Sequence, residues 1–143
     1  MKQSTPWNSY RQVATETATP GQLVLMLFDG AIRFLEQART GFALDDPQES
    51  NQTVHNNIVR AQQIIQELNY SLNLNAGGEF AATLRRLYDY FDTRLHQSNR
   101  QKNEQGVQEV IARMTTLREA WAEMLRGDSK PDANRPSFES VAV

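Results

Sequence analysis

This chain has no cysteine, which excludes disulfides, a thiol nucleophile and thiolate metal sites. The absence fits a reducing compartment. Histidine is scarce as well, with only His55 and His96 present. Three residues before them stand Gln52 and Thr93, so the Glu-x-x-His pairs of di-iron helical bundles are missing and no metal is expected. There is no excess of positive charge: 15 Lys and Arg face 17 Asp and Glu, for a formal net charge of -2. The basic residues are scattered, which argues against nucleic-acid binding driven by a basic stripe. No apolar run approaches the ~20 residues that span a bilayer, so membrane insertion is not expected. The opening MKQSTPWNSY is polar and lacks the apolar region of a secretory signal. A cytoplasmic, soluble protein is the expectation.

Catalytic signatures are missing too. Gly77-Gly78 lacks the Lys and Ser or Thr of a phosphate-binding loop. No serine sits in a nucleophile elbow. Asp45-Asp46 are adjacent carboxylates, but at a helix start such residues serve as caps and meet the helix dipole. The chain is not expected to be an enzyme or to carry a cofactor.

The 143 residues make one domain by length, and apolar periodicity divides it into four helices. Thr19-Pro20 supplies a hydroxyl N-cap and a proline at the first helical position, which predicts a helix over 20–43 with Leu23, Leu27, Ala31, Leu35, Ala38 and Phe42 inward. Asp46-Pro47 opens a second helix ending near Asn73, with Val54, Ile58, Ala61, Ile65, Leu68 and Leu72 in steps of four and three. Ile64 widens that face. Residues 73–78 read as a turn. A third helix from Glu79 has Phe80, Leu84, Leu87, Phe91 and Leu95 inward, with Tyr88 and Tyr90 on its flanks. After a polar connection at 99–103, a fourth helix runs over 104–126 on Val107, Val110, Ile111, Met114, Leu117, Trp121, Met124 and Leu125, and Gly127 stops it. The pattern predicts an all-α, antiparallel four-helix bundle at 19–127. A mobile N-terminal arm at 1–18, carrying Trp7 and Tyr10, precedes it. A flexible C-terminal tail at 128–143, carrying Phe138, follows.

Leu23, Val24, Leu25, Met26, Leu27 and Phe28 are apolar in succession, so this turn of helix is apolar all round. A surface helix shows one apolar stripe, so the surplus needs a second cover. Tyr10 on its polar arm can lay its ring there and leave when a partner arrives. Gly30, inside the same helix, suits close packing. These features point to a protein that binds other proteins. Two other readings stand beside it. His55 next to the apolar stripe makes a histidine phosphotransfer bundle an alternative, although the glycine usual after such a histidine is missing. A self-associating structural bundle, a homodimer through the same apolar face, is the other.

One resemblance covers most of the chain. Tyr10, Val13, Thr17-Ala18-Thr19-Pro20, Leu23 and Met26-Leu27-Phe28-Asp29-Gly30 resemble the opening signature of the FliS family of flagellin export chaperones. Ala61-x-x-Ile64-Ile65-x-Glu67-Leu68, Gly77-Gly78-Glu79-Phe80-Ala81, Leu87-Tyr88-Asp89-Tyr90 and Leu117-Arg118-Glu119-Ala120-Trp121 follow in matching order, and Ser137-Phe138 resembles some family tails. Thr19 stands where the family has Ser, and residues 44–53 match nothing in it. The resemblance implies a cytoplasmic chaperone. Such a protein binds the disordered C-terminal segment of flagellin, prevents its premature polymerisation and serves the type III flagellar export apparatus. Helix-in-groove recognition then places partner contacts at Tyr10, Leu23, Leu27, Ile58, Ala61, Ile65, Leu68, Leu84 and Tyr88. The free protein can also pair as a homodimer.

Overall fold

The computed structural model describes residues 19–127, which form four helices. They are α1 (Pro20–Phe42), α2 (Pro47–Tyr70), α3 (Leu74–Gln101) and α4 (Glu104–Gly127). No strand occurs among the described residues. The arm at 1–18 and the tail at 128–143, with Trp7, Tyr10 and Phe138, lie outside them.

Local chemistry sets the helix starts. The Thr19 hydroxyl accepts from Gln22 N at 3.2 Å, and Thr19 N donates to the Gln22 side chain at 3.0 Å. This reciprocal pair satisfies two backbone donors that a helix start leaves open. The Asp46 carboxylate accepts from Glu49 N at 3.1 Å and caps α2, with Pro47 following. Asn103 Oδ1 accepts from Gln105 N at 2.9 Å at the start of α4. The polar connection before α4 is a short turn: only Lys102 and Asn103 leave the helices, and Lys102 takes a left-handed φ of 52°.

The turn expected at 73–78 is instead mostly helical. Residues 74–77 form a helical turn continuous with α3, broken only at Gly78 (φ 55°, ψ −135°). That backbone region is open to glycine almost alone. The second helix ends at Tyr70, a little short of Asn73.

Helix α1 packs on α2 and α4, and α3 packs on the same two neighbours. With short connections this is an antiparallel ring around one core. Val54, Ile58, Ala61, Ile64, Ile65 and Leu68 of α2 are buried, as are Leu27, Ala31, Leu35 and Ala38 of α1. Fully burying one such large side chain stabilises the fold by about 1.5–3 kcal/mol. One end of the bundle is tight. A Cβ on Gly41 would lie 2.9 Å from Thr53 Cγ2, and one on Gly106 would lie 2.8 Å from Ser98 Cβ. At the other end large aromatics keep the helices apart: the Phe28 ring centre lies 6.3 Å from that of Tyr88 and 6.4 Å from that of Trp121.

Helix α3 is rotated from the expected stripe. Its buried residues are Ala81, Leu84, Tyr88, Phe91, Leu95 and Ser98. Phe80, expected inside, is 38% exposed, and Leu87 is only half-buried. Tyr88, expected on a flank, is in the core. Small Ala81 lets the start of α3 approach its neighbours, while the Tyr88 ring meets Phe28. The rotation turns Phe80 and Leu87 outward.

The apolar run of α1 is covered largely by its own chain. Val24, Leu27 and Phe28 are buried, and Leu23, Leu25 and Met26 are half-buried. Lying between two neighbours, α1 needs apolar side chains on two sides. Gly30 is buried as well.

Candidate functional site

Most of the residues expected to meet a partner are interior in the closed bundle. Leu27, Ile58, Ala61, Ile65, Leu68, Leu84 and Tyr88 are all buried. Leu23 is half-buried at the start of α1, and Tyr10 lies outside the described residues. Among the described residues two grooves flank α3, one on each side.

The first groove runs between α3 and α4, with a volume of about 380 Å³. Leu87, Phe91, Ala112, Thr116 and Leu117 line it, with Arg113 at its edge. It follows directly from the rotation of α3, which places Leu87 beside Leu117 instead of inside. Phe80, two turns before Leu87, extends the apolar strip along the helix.

A charged cluster closes one end of this groove. Glu109 accepts from Arg94 Nε at 2.9 Å, from Arg113 Nε at 2.9 Å and from the Tyr90 hydroxyl at 2.5 Å. The Arg113 guanidinium lies 5.7 Å from the centre of the Tyr90 ring. The hydrogen bond from Tyr90, then that from Arg94, holds the Glu109 carboxyl below the usual carboxylate range. Two arginines on one carboxylate leave the rim positive.

The second groove runs between α2 and α3, with a volume of about 320 Å³. Ile65 and Tyr88 form its apolar part, while Gln66, Asn69, Tyr70, Arg85, Asp89 and Asp92 make it polar. Asn69 Nδ2 donates to Asp89 Oδ1 at 2.9 Å, and Arg85 Nε donates to Asn69 Oδ1 at 3.3 Å. Gln62 Nε2 donates to Asp92 Oδ1 at 3.2 Å. Tyr70 is 72% exposed, far more than the other large apolar or aromatic side chains among the described residues. The periodicity of the sequence held no signal for this groove, because its rim residues are ordinary polar side chains in sequence.

The remaining candidates do not converge. His55 is exposed, with Nδ1 2.9 Å from Asn99 Nδ2. Among the described residues no group of three His, Asp or Glu side chains is placed to hold a metal ion. No helix among them is long and apolar enough to cross a membrane.

The signature pieces that stand apart in sequence meet in space. Asp29 of the α1 signature accepts from Arg118 Nε at 2.8 Å. Trp121 Nε1 donates to Gly21 O at 3.1 Å, and Phe28 packs between Tyr88 and Trp121. The signature therefore encodes the joint of α1, α3 and α4 at the wide end of the bundle.

Comparison with known proteins agrees with this reading. The family model described as "Flagellar protein FliS" matches residues 3–128. The flagellar secretion chaperone FliS of Bacillus subtilis (strain 168) is 37% identical over 125 residues, which cover 87% of this chain and 90% of that protein. The flagellar secretion chaperone FliS of Salmonella typhimurium is 35% identical over 121 residues, 81% of this chain and 87% of that protein. The protein of the same description from Campylobacter jejuni is 31% identical over 124 residues, 87% of this chain and 94% of that protein. Match and fold extend over the same four helices, and the chain belongs to the FliS family of flagellar secretion chaperones.

Proposed function

We propose that this chain captures the disordered C-terminal segment of flagellin in the cytoplasm, keeps it from polymerising prematurely, and presents it to the flagellar type III export apparatus. The observation that carries this reading is the apolar groove that the described residues leave open between α3 and α4, lined by Leu87, Phe91 and Leu117. A segment that is disordered alone can fold an apolar helix face into such a groove, ordering as it binds. Capture needs no bond making, since holding the segment denies it to other flagellin molecules. The chain is thus a binding protein without catalytic machinery.

The interior residues Leu27, Ile58, Ala61, Ile65, Leu68, Leu84 and Tyr88 take part by fixing where the helices stand. Leu23, half-buried at the start of α1, is the nearest to the surface of the expected contacts among the described residues. Covering by Tyr10 is part of the same proposal, and deletion of residues 1–15 tests it: unchanged flagellin affinity and unchanged solubility refute it.

Calorimetric titration with a flagellin C-terminal peptide from the same organism tests the whole. One-to-one binding with a large negative heat-capacity change is expected. Leu117→Glu places a charge in the groove and should weaken binding by at least about tenfold. Its unfolding midpoint should move little, because Leu117 is only half-buried. No binding by the unaltered protein at high micromolar peptide refutes the reading. A sedimentation coefficient that rises with concentration would then give the groove to a homodimer.

A further inference from the structure

We propose that the groove between α2 and α3 is a second docking site, separate from the cargo groove, that receives an arginine or lysine side chain from a basic segment of a partner protein. Three observations meet there. The first is the state of its two carboxylates. Within the described residues the hydrogen bonds to the Asp89 and Asp92 side chains come from the neutral amides of Asn69 and Gln62. Arg85, the cation among the described lining residues, donates to Asn69 Oδ1. The groove wall is therefore net acidic, with carboxylate oxygens left to accept charge-assisted hydrogen bonds.

The second is Tyr70. Its ring stands at the rim, 72% exposed, where it costs the fold little and stabilises nothing inside. An exposed ring face beside carboxylates is the arrangement that holds a guanidinium by cation–π attraction while its donors reach the acids.

The third is the Tyr88 hydroxyl. Tyr88 lines the groove and is 1% exposed. Its hydroxyl has no hydrogen-bond partner among the described residues, and Tyr88 is part of the groove lining. A donor entering the groove can supply that missing hydrogen bond. Acids, ring and hydroxyl line one groove, and each of them favours a basic side chain.

The opposite flank of α3 has the reverse character, an apolar groove with an arginine-rich rim. An acidic, apolar segment suits that side and a basic segment suits this one. The two lie on different seams, so both can be filled together.

Binding is read by two-dimensional NMR on the 15N-labelled full chain, with N-acetyl-arginine amide as the probe. Its neutral isostere, N-acetyl-citrulline amide, is the control. The expected result is saturating shifts at Asn69, Tyr70, Asp89 and Asp92 with arginine and none with citrulline. The double variant Asp89→Asn, Asp92→Asn should weaken the arginine site by roughly tenfold. Tyr70→Ala should weaken it by roughly threefold. Neither variant should change the fold, since Asp89 and Tyr70 are exposed and the half-buried Asp92 keeps an oxygen acceptor for Gln62 when replaced by Asn. Equal shifts with citrulline, shifts that do not saturate, or shifts centred on Arg113 and Leu117 each overturn the proposal. No flagellin is used, so failure here is distinct from failure of cargo capture. Repeating the titration on the flagellin-loaded chaperone checks independence: an unchanged arginine site supports two separate grooves, and its loss refutes them.

Discussion

Tyr88→Phe removes one hydroxyl and keeps the ring, and it tests where that hydroxyl stands. The ring packs on Phe28 at 6.3 Å between centres, and this contact survives the change. A typical internal hydrogen bond contributes about 0.5–1.5 kcal/mol net. The Tyr88 hydroxyl makes none within the described residues, so that loss does not arise. At neutral pH the variant should differ from the parent by less than about 0.5 kcal/mol. The pH dependence gives a sharper test. Burial pushes the Tyr88 phenol well above its ordinary value of 10.0. The neutral form is therefore favoured in the folded state. The resulting stability is fully present below the unfolded value, near 10, and is lost as pH rises beyond it. There the unfolded chain gives up a proton that the folded chain keeps. The slope approaches ~1.4 kcal/mol per pH unit, so by about pH 11 the parent should have lost ~1.4 kcal/mol that the variant retains. Urea unfolding of both proteins near pH 9 and pH 11 measures this, and effects of every other titrating group cancel in the difference. A loss above about 1 kcal/mol at neutral pH would show that the hydroxyl is bonded inside the fold. Parallel pH profiles would show that the phenol is not buried. The first result would remove one support of the second docking site.

Other changes probe the frame around the grooves. Gly106→Ala gains about 1 kcal/mol of helix propensity. It also places a Cβ 2.8 Å from Ser98 Cβ and 3.2 Å from Arg94 O, and overpacking of this kind costs about 1–3 kcal/mol. A net loss of roughly 1 kcal/mol is expected in urea unfolding, and a stabilised variant would mean that α3 and α4 stand farther apart. Trp121→Phe gives up the bond to Gly21 O and should cost about 1–2 kcal/mol by the same measurement. A neutral outcome would mean that the bond does not join α1 to α4. Glu109→Gln should flatten the acid limb of the stability profile. Because the Glu109 carboxyl is held below its usual range, its contribution is present above the unfolded carboxylate value and fades as pH falls through the folded one. An acid limb identical to the parent's would refute the network.

The sequence alone determined the four helices, their order and most of their inward faces. These properties are local. Thr19 and Asp46 cap through side-chain oxygens within one turn, and apolar residues in steps of three and four must share a face. The family resemblance was legible for the same reason, as short motifs in a fixed order. The rotation of α3 was not legible there. Two apolar stripes overlap on that helix, one through Phe80 and Leu87, the other through Ala81 and Tyr88, and both share Leu84, Phe91 and Leu95. Only the neighbours choose between them. Phe28 and Trp121, far away in the chain, form a wide end that takes the Tyr88 ring, and the glycine at 78 lets the helix enter at the needed angle. That choice turned Leu87 outward to make one groove and set Tyr88 behind Asp89 and Tyr70 to make the other. Most of the expected contact residues proved interior for a related reason. Periodicity identifies an apolar face, but a face between two neighbouring helices is core, and surface remains only where a seam opens. Pattern is a property of one helix, and a groove is a property of two.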